Sequence, residues 1–144
     1  PRCKWPNDLL IDGKKVSGIL LETDGKNRLV VGIGVNLLPV EAENLLYPVT
    51  SLANEGVDTT PREVLSRLVE RFEALEKMPF SAVLDNWRQR AYGLGQPITV
   101  NLPTGKVQGT FYGLDNDGVL LLKCGQQIMR ITAGDVFFGE QGKK

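Results

Sequence analysis

The chain has 144 residues, 42% of them hydrophobic and 24% charged, which places it among globular proteins with length for one ordinary core or two small ones. Seventeen basic and seventeen acidic side chains give a formal net charge of zero, so no whole-chain field draws it to nucleic acid or anionic lipid. Histidine is absent, which excludes Ser-His and Cys-His nucleophile pairs and imidazole metal sites, and Cys3 and Cys124 lack the spacing of a zinc site or redox pair.

No apolar run reaches the length of about 18 residues that a membrane helix needs, and the start lacks the basic-then-apolar plan of a signal peptide. The expectation is a cytoplasmic protein with two reduced thiols. It begins at Pro1, directly before a motif and without an initiator methionine, which we read as a fragment.

Residues 8 to 36 carry Asp12-Gly13 and Asp24-Gly25, each between β-favouring runs and each suited to a type I′ hairpin turn. An antiparallel meander is predicted, with strands at about 8–11, 15–23 and 28–35. Val16, Ile19, Leu21, Val30, Ile33 and Val35 are available to its core faces. Ser51 to Gly56 reads as a short helix with a hydroxyl at its start and a glycine past its end. Thr60-Pro61-Arg62-Glu63 is a capping box with proline at the first helical position. It predicts a helix over about 61–77, with Val64, Leu65, Leu68, Val69, Phe72 and Leu75 on one stripe. A third helix at about 81–91 should bury Val83, Leu84 and Trp87. From Gly93 the chain turns to short strands broken by Pro103-Thr104-Gly105, Asp115 to Gly118 and Cys124-Gly125, the pattern of a small barrel. We place a domain boundary between residues 92 and 93.

Three motifs stand out near the start. Lys4-Trp5-Pro6-Asn7-Asp8 packs a cation, an aromatic anchor, a proline and two short polar residues into a strand entry. Taken alone it is equally a turn in which Asn7 and Asp8 bond nearby backbone while Trp5 fills a core. Lys15-Val16-Ser17-Gly18-Ile19-Leu20 sets a lysine three positions before a glycine, so strand alternation points the two to opposite faces and leaves room at Gly18 for a close ligand or backbone. The competing reading is an edge lysine that discourages strand pairing, with Gly18 marking a bulge and Lys14 solvated. Gly32-Ile33-Gly34 lacks the third glycine of a dinucleotide fingerprint. Asn36 ends that strand, and its amide is a ligand for phosphate or hydrated Mg²⁺, or a strand-end cap.

In order and spacing these three motifs resemble the biotin protein ligases, which share the lysine-tryptophan-proline-asparagine-aspartate run, a lysine three before Gly-Ile-Leu and a glycine-rich strand ending in asparagine. The resemblance implies an α+β fold: an antiparallel β-meander with packed helices, part of a class II synthetase-like catalytic domain (1–92), followed by a small SH3-like β-barrel (93–144). It implies ATP-dependent activation of biotin to biotinyl-5′-adenylate and transfer to one lysine of a biotin carboxyl carrier protein, an acetyl-CoA carboxylase subunit, with ATP, biotin and Mg²⁺ taking part. Lys15 then contacts the biotin carboxylate and the α-phosphate beside Gly18, and Asn7 and Asp8 lie at the adenylate. By that resemblance an amide can orient phosphate there, and a carboxylate can hold metal or help take a proton from the acceptor amine. Asn36 lies at the nucleotide end; Lys4 either faces pyrophosphate or is a solvated strand residue. No residue is assigned to a protein-held metal.

Two departures accompany the resemblance. The family's glycine- and arginine-rich loop has no counterpart in these residues, and Phe137-Phe138 stand where some members carry an arginine thought to reach ATP. No helix-turn-helix precedes the motifs, so repressor activity is not inferred, and pairing of the parent enzyme as a homodimer is left open. The alternative from another class is a non-catalytic module for carrier-protein binding or subunit pairing. The meander by itself is expected to expose an unpaired edge and apolar surface.

Overall fold

The computed structural model describes residues 1–41 and 47–139. The chain divides into two compact units, one built from Pro1–Cys3 and Asn7–Pro79, the other from Lys4–Pro6 and the chain from Phe80 onward.

In the first unit, β1 (Arg2–Lys4), β2 (Asp8–Ile11), β3 (Lys14–Thr23) and β4 (Leu29–Val35) form a sheet in the order β1-β2-β3-β4. The β2-β3 and β3-β4 pairings are antiparallel, the meander that the sequence predicts. Asp12 and Gly13 adopt φ of 48° and 77°, the consecutive left-handed residues of a type I′ turn. The second connection differs from expectation. The Asp24 carboxylate accepts hydrogen bonds from the backbone N–H groups of Lys26 and Arg28 and from Arg28 Nε, so this aspartate organises a wider loop across residues 24–28.

Val16 and Leu10 are buried, and Ile19, Ile33 and Val35 are half-buried. Leu21 and Val30, expected in the core, are 60% and 57% exposed, as are their neighbours Leu20 and Leu29, because none of the described residues covers the far end of the β3-β4 hairpin. The segment expected as a helix at 51–56 is a run of turns. Glu55 N bonds the Ser51 carbonyl, Gly56 N the Ala53 carbonyl and Val57 N the Leu52 carbonyl, so a single turn closes without a helical ladder, while Leu52 and Ala53 donate their N–H groups to the carbonyls of Asn36 and Leu37. Helix α1 (Pro61–Glu76) has the full capping box: Thr60 Oγ1 accepts from Glu63 N, and the Glu63 carboxylate accepts from Thr60 N. Its apolar stripe is largely open. Val64 and Leu68 are half-buried, while Leu65, Val69, Phe72 and Leu75 are exposed.

The second unit comprises α2 (Phe80–Gln89) and β5 (Pro97–Leu102), β6 (Gly105–Leu114), β7 (Leu120–Cys124), β8 (Gln127–Ile131) and β9 (Asp135–Phe138). The strands pair antiparallel in the order β8-β7-β6-β5-β9, the small SH3-like arrangement expected of this segment. Val100, Phe111, Leu120 and Leu122 form its fully buried centre, with Leu84 of α2 and Trp5 closing the same cluster. Trp5 Nε1 donates to the Gly118 carbonyl at 3.3 Å, so the indole is buried without losing its hydrogen bond. Phe138 packs edge-on against Tyr92 with ring centroids 4.9 Å apart. Neither cysteine is in a disulfide, and among the described residues no helix is long and apolar enough to cross a membrane.

Candidate functional site

The first unit holds an open cleft of about 470 Å³ lined by Asn7, Lys15, Gly18, Leu20, Gly32 and Gly34, with Ile19 and Ile33 along its margin. Its floor follows from strand register. Gly18 stands opposite Gly34 and Leu20 opposite Gly32, so three of four neighbouring positions carry no side chain and the backbone itself is accessible.

Lys15 reaches this floor through an irregularity that the alternation rule does not anticipate. Opposite β2, Leu9 pairs with Ser17 but Leu10 pairs with Lys15, which leaves Val16 as the extra residue of a β-bulge. The phase of β3 slips there. Lys15 and Gly18, expected on opposite faces, therefore meet: a Cβ added at Gly18 would lie 3.0 Å from Lys15 Nζ and 3.4 Å from Asp8 Oδ1. Lys15 Nζ is 2.6 Å from Asp8 Oδ1, with the two side chains 38% and 16% exposed. A partly desolvated cation is thus fixed above a bare floor, with a carboxylate beside it, an arrangement suited to an anionic ligand that approaches closely.

Asn7 borders the cleft and is tied to β3. Its Nδ2 donates to the Ile19 carbonyl at 2.6 Å, and its own carbonyl accepts from Ile19 N at 2.9 Å. Asn36 Nδ2 donates to the Thr50 carbonyl at 2.9 Å and the Lys15 carbonyl at 3.5 Å, the strand-end capping geometry. Lys4 closes β1 and is grouped with the second unit, outside the residues that line the cleft. Lys14 is exposed, as expected of the solvated lysine of the pair, and also pairs with Glu55 at 3.4 Å. Among the described residues no group of three or more His, Cys, Asp or Glu side chains is gathered, and Asp8 is already engaged by Lys15.

Sequence reasoning missed the segment behind Lys15. Pro48, Val49 and Thr50 run parallel beside it: Lys15 N donates to the Pro48 carbonyl and Thr50 N to the Lys15 carbonyl, both at 2.8 Å. Ser51 was legible only as a helix start, and Thr50 was not singled out. Their burial, at 1% and 0% exposure, is the signal that a polar pair in that place serves the interior.

Residues 2–37 match the Biotin/lipoate A/B protein ligase family, and residues 93–139 match the Biotin protein ligase C terminal domain. The chain is 36% identical over 151 residues to the biotin--[acetyl-CoA-carboxylase] ligase of Paracoccus denitrificans, covering 94% of this chain and 62% of that protein. It is 31% identical to the bifunctional ligase/repressor BirA of Bacillus subtilis, over 94% of this chain and 46% of the relative. Among solved structures, the biotin protein ligase from Aquifex aeolicus in complex with biotin and ATP superposes with a TM-score of 0.77 at 30% identity, over 94% of this chain and 60% of that one. The apo structure of the Aquifex aeolicus enzyme gives 0.81 at 29% identity, over 96% and 65%. The chain thus spans roughly half to two thirds of the proteins it matches.

Proposed function

The chain belongs to the biotin protein ligase family, and from that premise we propose that it takes part in ATP-dependent formation of biotinyl-5′-adenylate and transfer of biotin to one lysine of a biotin carboxyl carrier protein in the cytoplasm. The observation that carries this reading is the Lys15 ammonium held over the Gly18-Gly34 floor beside Asp8.

The physical demand of the first half-reaction is to bring a carboxylate against an α-phosphate. Two anions repel, and charge builds on the phosphoryl oxygens in the transition state, so a fixed cation with little solvent to displace is the effective device. Lys15 supplies it, and the glycines beneath allow the reacting groups to come within hydrogen-bond distance of Nζ. When a ligand anion shares Nζ, the Asp8 carboxylate stands beside the reaction as an acceptor, suited to orienting or deprotonating the incoming lysine amine. Asn7 orients phosphate at the cleft margin, and Asn36 holds the nucleotide end of β3 in place. Mg²⁺ would accompany ATP and supply positive charge against its phosphate oxygens, with the Asp8 carboxylate the oxygen ligand that this chain would offer it. Residues 93–144 form the C-terminal domain in this proposal; the family match beginning at residue 93 supports that boundary.

The test is ATP- and Mg²⁺-dependent transfer of biotin to a carrier-domain lysine, measured for this chain and for a form extended upstream to the length its relatives carry. Transfer in the extended form, lost in Lys15→Ala with folding retained, is expected. A second reading, a module for carrier binding or subunit pairing, is favoured by the exposed apolar residues of β3, β4 and α1. Carrier binding without transfer in either form would select it.

A further inference from the structure

Strand β4 pairs with β3 only as far as Ser17 opposite Val35, and its last backbone bond to that strand is Asn36 N to the Val16 carbonyl. Lys15 lies one step beyond, at the bulge, where no β4 ladder fixes the direction of its side chain. The Pro48–Thr50 segment fills the vacated edge and bonds both polar groups of the Lys15 main chain. Glu55 adds a side-chain hold on that segment. The buried Thr50 hydroxyl donates to Glu55 Oε1 at 2.5 Å, and the same oxygen takes Lys14 Nζ at 3.4 Å. The Thr50 hydroxyl, with Lys14, holds the Glu55 carboxyl below the usual carboxylate range against desolvation, so the acceptor is ionised at neutral pH. Glu55 therefore grips the residue before Lys15 and the residue bonded to the Lys15 carbonyl, and Asn36 Nδ2 ties the Thr50 and Lys15 carbonyls together.

We propose that Thr50 and Glu55 are positioning residues for Lys15: through the Pro48–Thr50 segment they fix the bulged backbone so that Nζ stays over Gly18. The inference rests on the ligase reading above. Neither residue lines the cleft, and their effect passes through Lys15. A displacement of the reacting cation by about 1 Å is enough to lower a rate by about 10²-fold.

The experiment measures pyrophosphate release with biotin and ATP in the upstream-extended form, for Thr50→Val, Thr50→Ser, Glu55→Ala and Glu55→Gln, each with a thermal melt. Thr50→Val and Glu55→Ala should lower kcat about 10- to 100-fold with smaller changes in KM. Thr50→Ser and Glu55→Gln keep a donor and an acceptor and should restore kcat to within about threefold. In parallel, ¹³C NMR of the reductively methylated chain, with the Lys15 signal assigned from Lys15→Arg, should show that signal moved by Thr50→Val and unmoved by Thr50→Ser. Unchanged kcat in Thr50→Val and Glu55→Ala, or equal losses in the conservative pair, would overturn the proposal. No pyrophosphate release in the unmutated extended form would sink the ligase reading instead, while release that survives Lys15→Ala would overturn the role of Lys15 and the proposal with it; the NMR result would still report on the clamp.

Discussion

Replacing Gly18 with alanine separates room for a ligand from stability of the sheet. The new Cβ would stand 3.0 Å from Lys15 Nζ and 3.1 Å from Lys15 Cε, tighter than ordinary contact, and 3.4 Å from Asp8 Oδ1, which is tolerable. The clash falls on the far end of a flexible side chain, so Lys15 yields by a few tenths of an ångström while the backbone stays. Alanine in a strand recovers about 0.5–1 kcal/mol of chain entropy relative to glycine, and the displaced ion pair is worth no more than about 1 kcal/mol. The two offset, and stability should change by less than about 1 kcal/mol. The ligand suffers twice, since the methyl occupies the approach and the cation is off its mark, so adenylate formation should fall by about 10²-fold or more. Pyrophosphate release and urea denaturation, run on the same upstream-extended preparation, measure the two quantities. Wild-type turnover in Gly18→Ala would refute the argument that this glycine exists for close approach; a loss of stability well above 1 kcal/mol would refute the claim that only the end of Lys15 must move.

Trp5→Ala should destabilise the second unit by about 3–5 kcal/mol, since it empties a large site in the cluster around Phe111 and Leu122 and strips the Gly118 carbonyl of its donor; a denaturation transition followed by far-ultraviolet circular dichroism would reveal it. Desolvation pushes the Asp115 carboxyl up, but N–H donation from Val119 and Asp117 and the Arg130 guanidinium outweigh it and hold the group below its ordinary value of 3.8. With the folded pKa depressed, its contribution is present above pH 3.8 and lost as pH falls through the lower folded value. Acid unfolding of the second unit in Asp115→Asn should accordingly be shallower than in the parent, and identical acid profiles would count against it. The isolated chain should self-associate through the open apolar residues of β3, β4 and α1, and Leu21→Glu with Phe72→Glu should raise the fraction that sediments as monomer.

Much of this fold is local, and what is local is readable. Asp12-Gly13 demands two left-handed residues, and Thr60 to Glu63 supply their own reciprocal bonds, so those elements arise where their residues stand. The errors sit where distant chain decides. Ser51 to Gly56 carries helix end-signals but closes a single turn before Gly56, at φ 75°, ends it, while Asn36 and Leu37 accept its first two donors. Leu21, Val30 and the α1 stripe have core-like spacing, but periodicity records a wish for burial and not the presence of a cover. At the site, Lys15, Asp8 and Gly18 were picked out by type and order, while their meeting depended on the bulge at Val16, which no pattern of apolar and polar residues announces.

The neighbouring lysines Lys14 and Lys15 each have an acidic partner, Glu55 and Asp8. Electrostatically the cleft is therefore muted at rest: seen from beyond a Debye length of about 8 Å it offers little net attraction to a passing anion. An entering phosphate or carboxylate must compete with Asp8 for the Nζ charge, through the remaining N–H donors or by exchange. A small free anion brings one contact to that exchange, whereas a ligand that also settles on the glycine floor brings many. On the ligase reading proposed above, the ion pair sets a threshold that favours a ligand with many contacts over a small free anion.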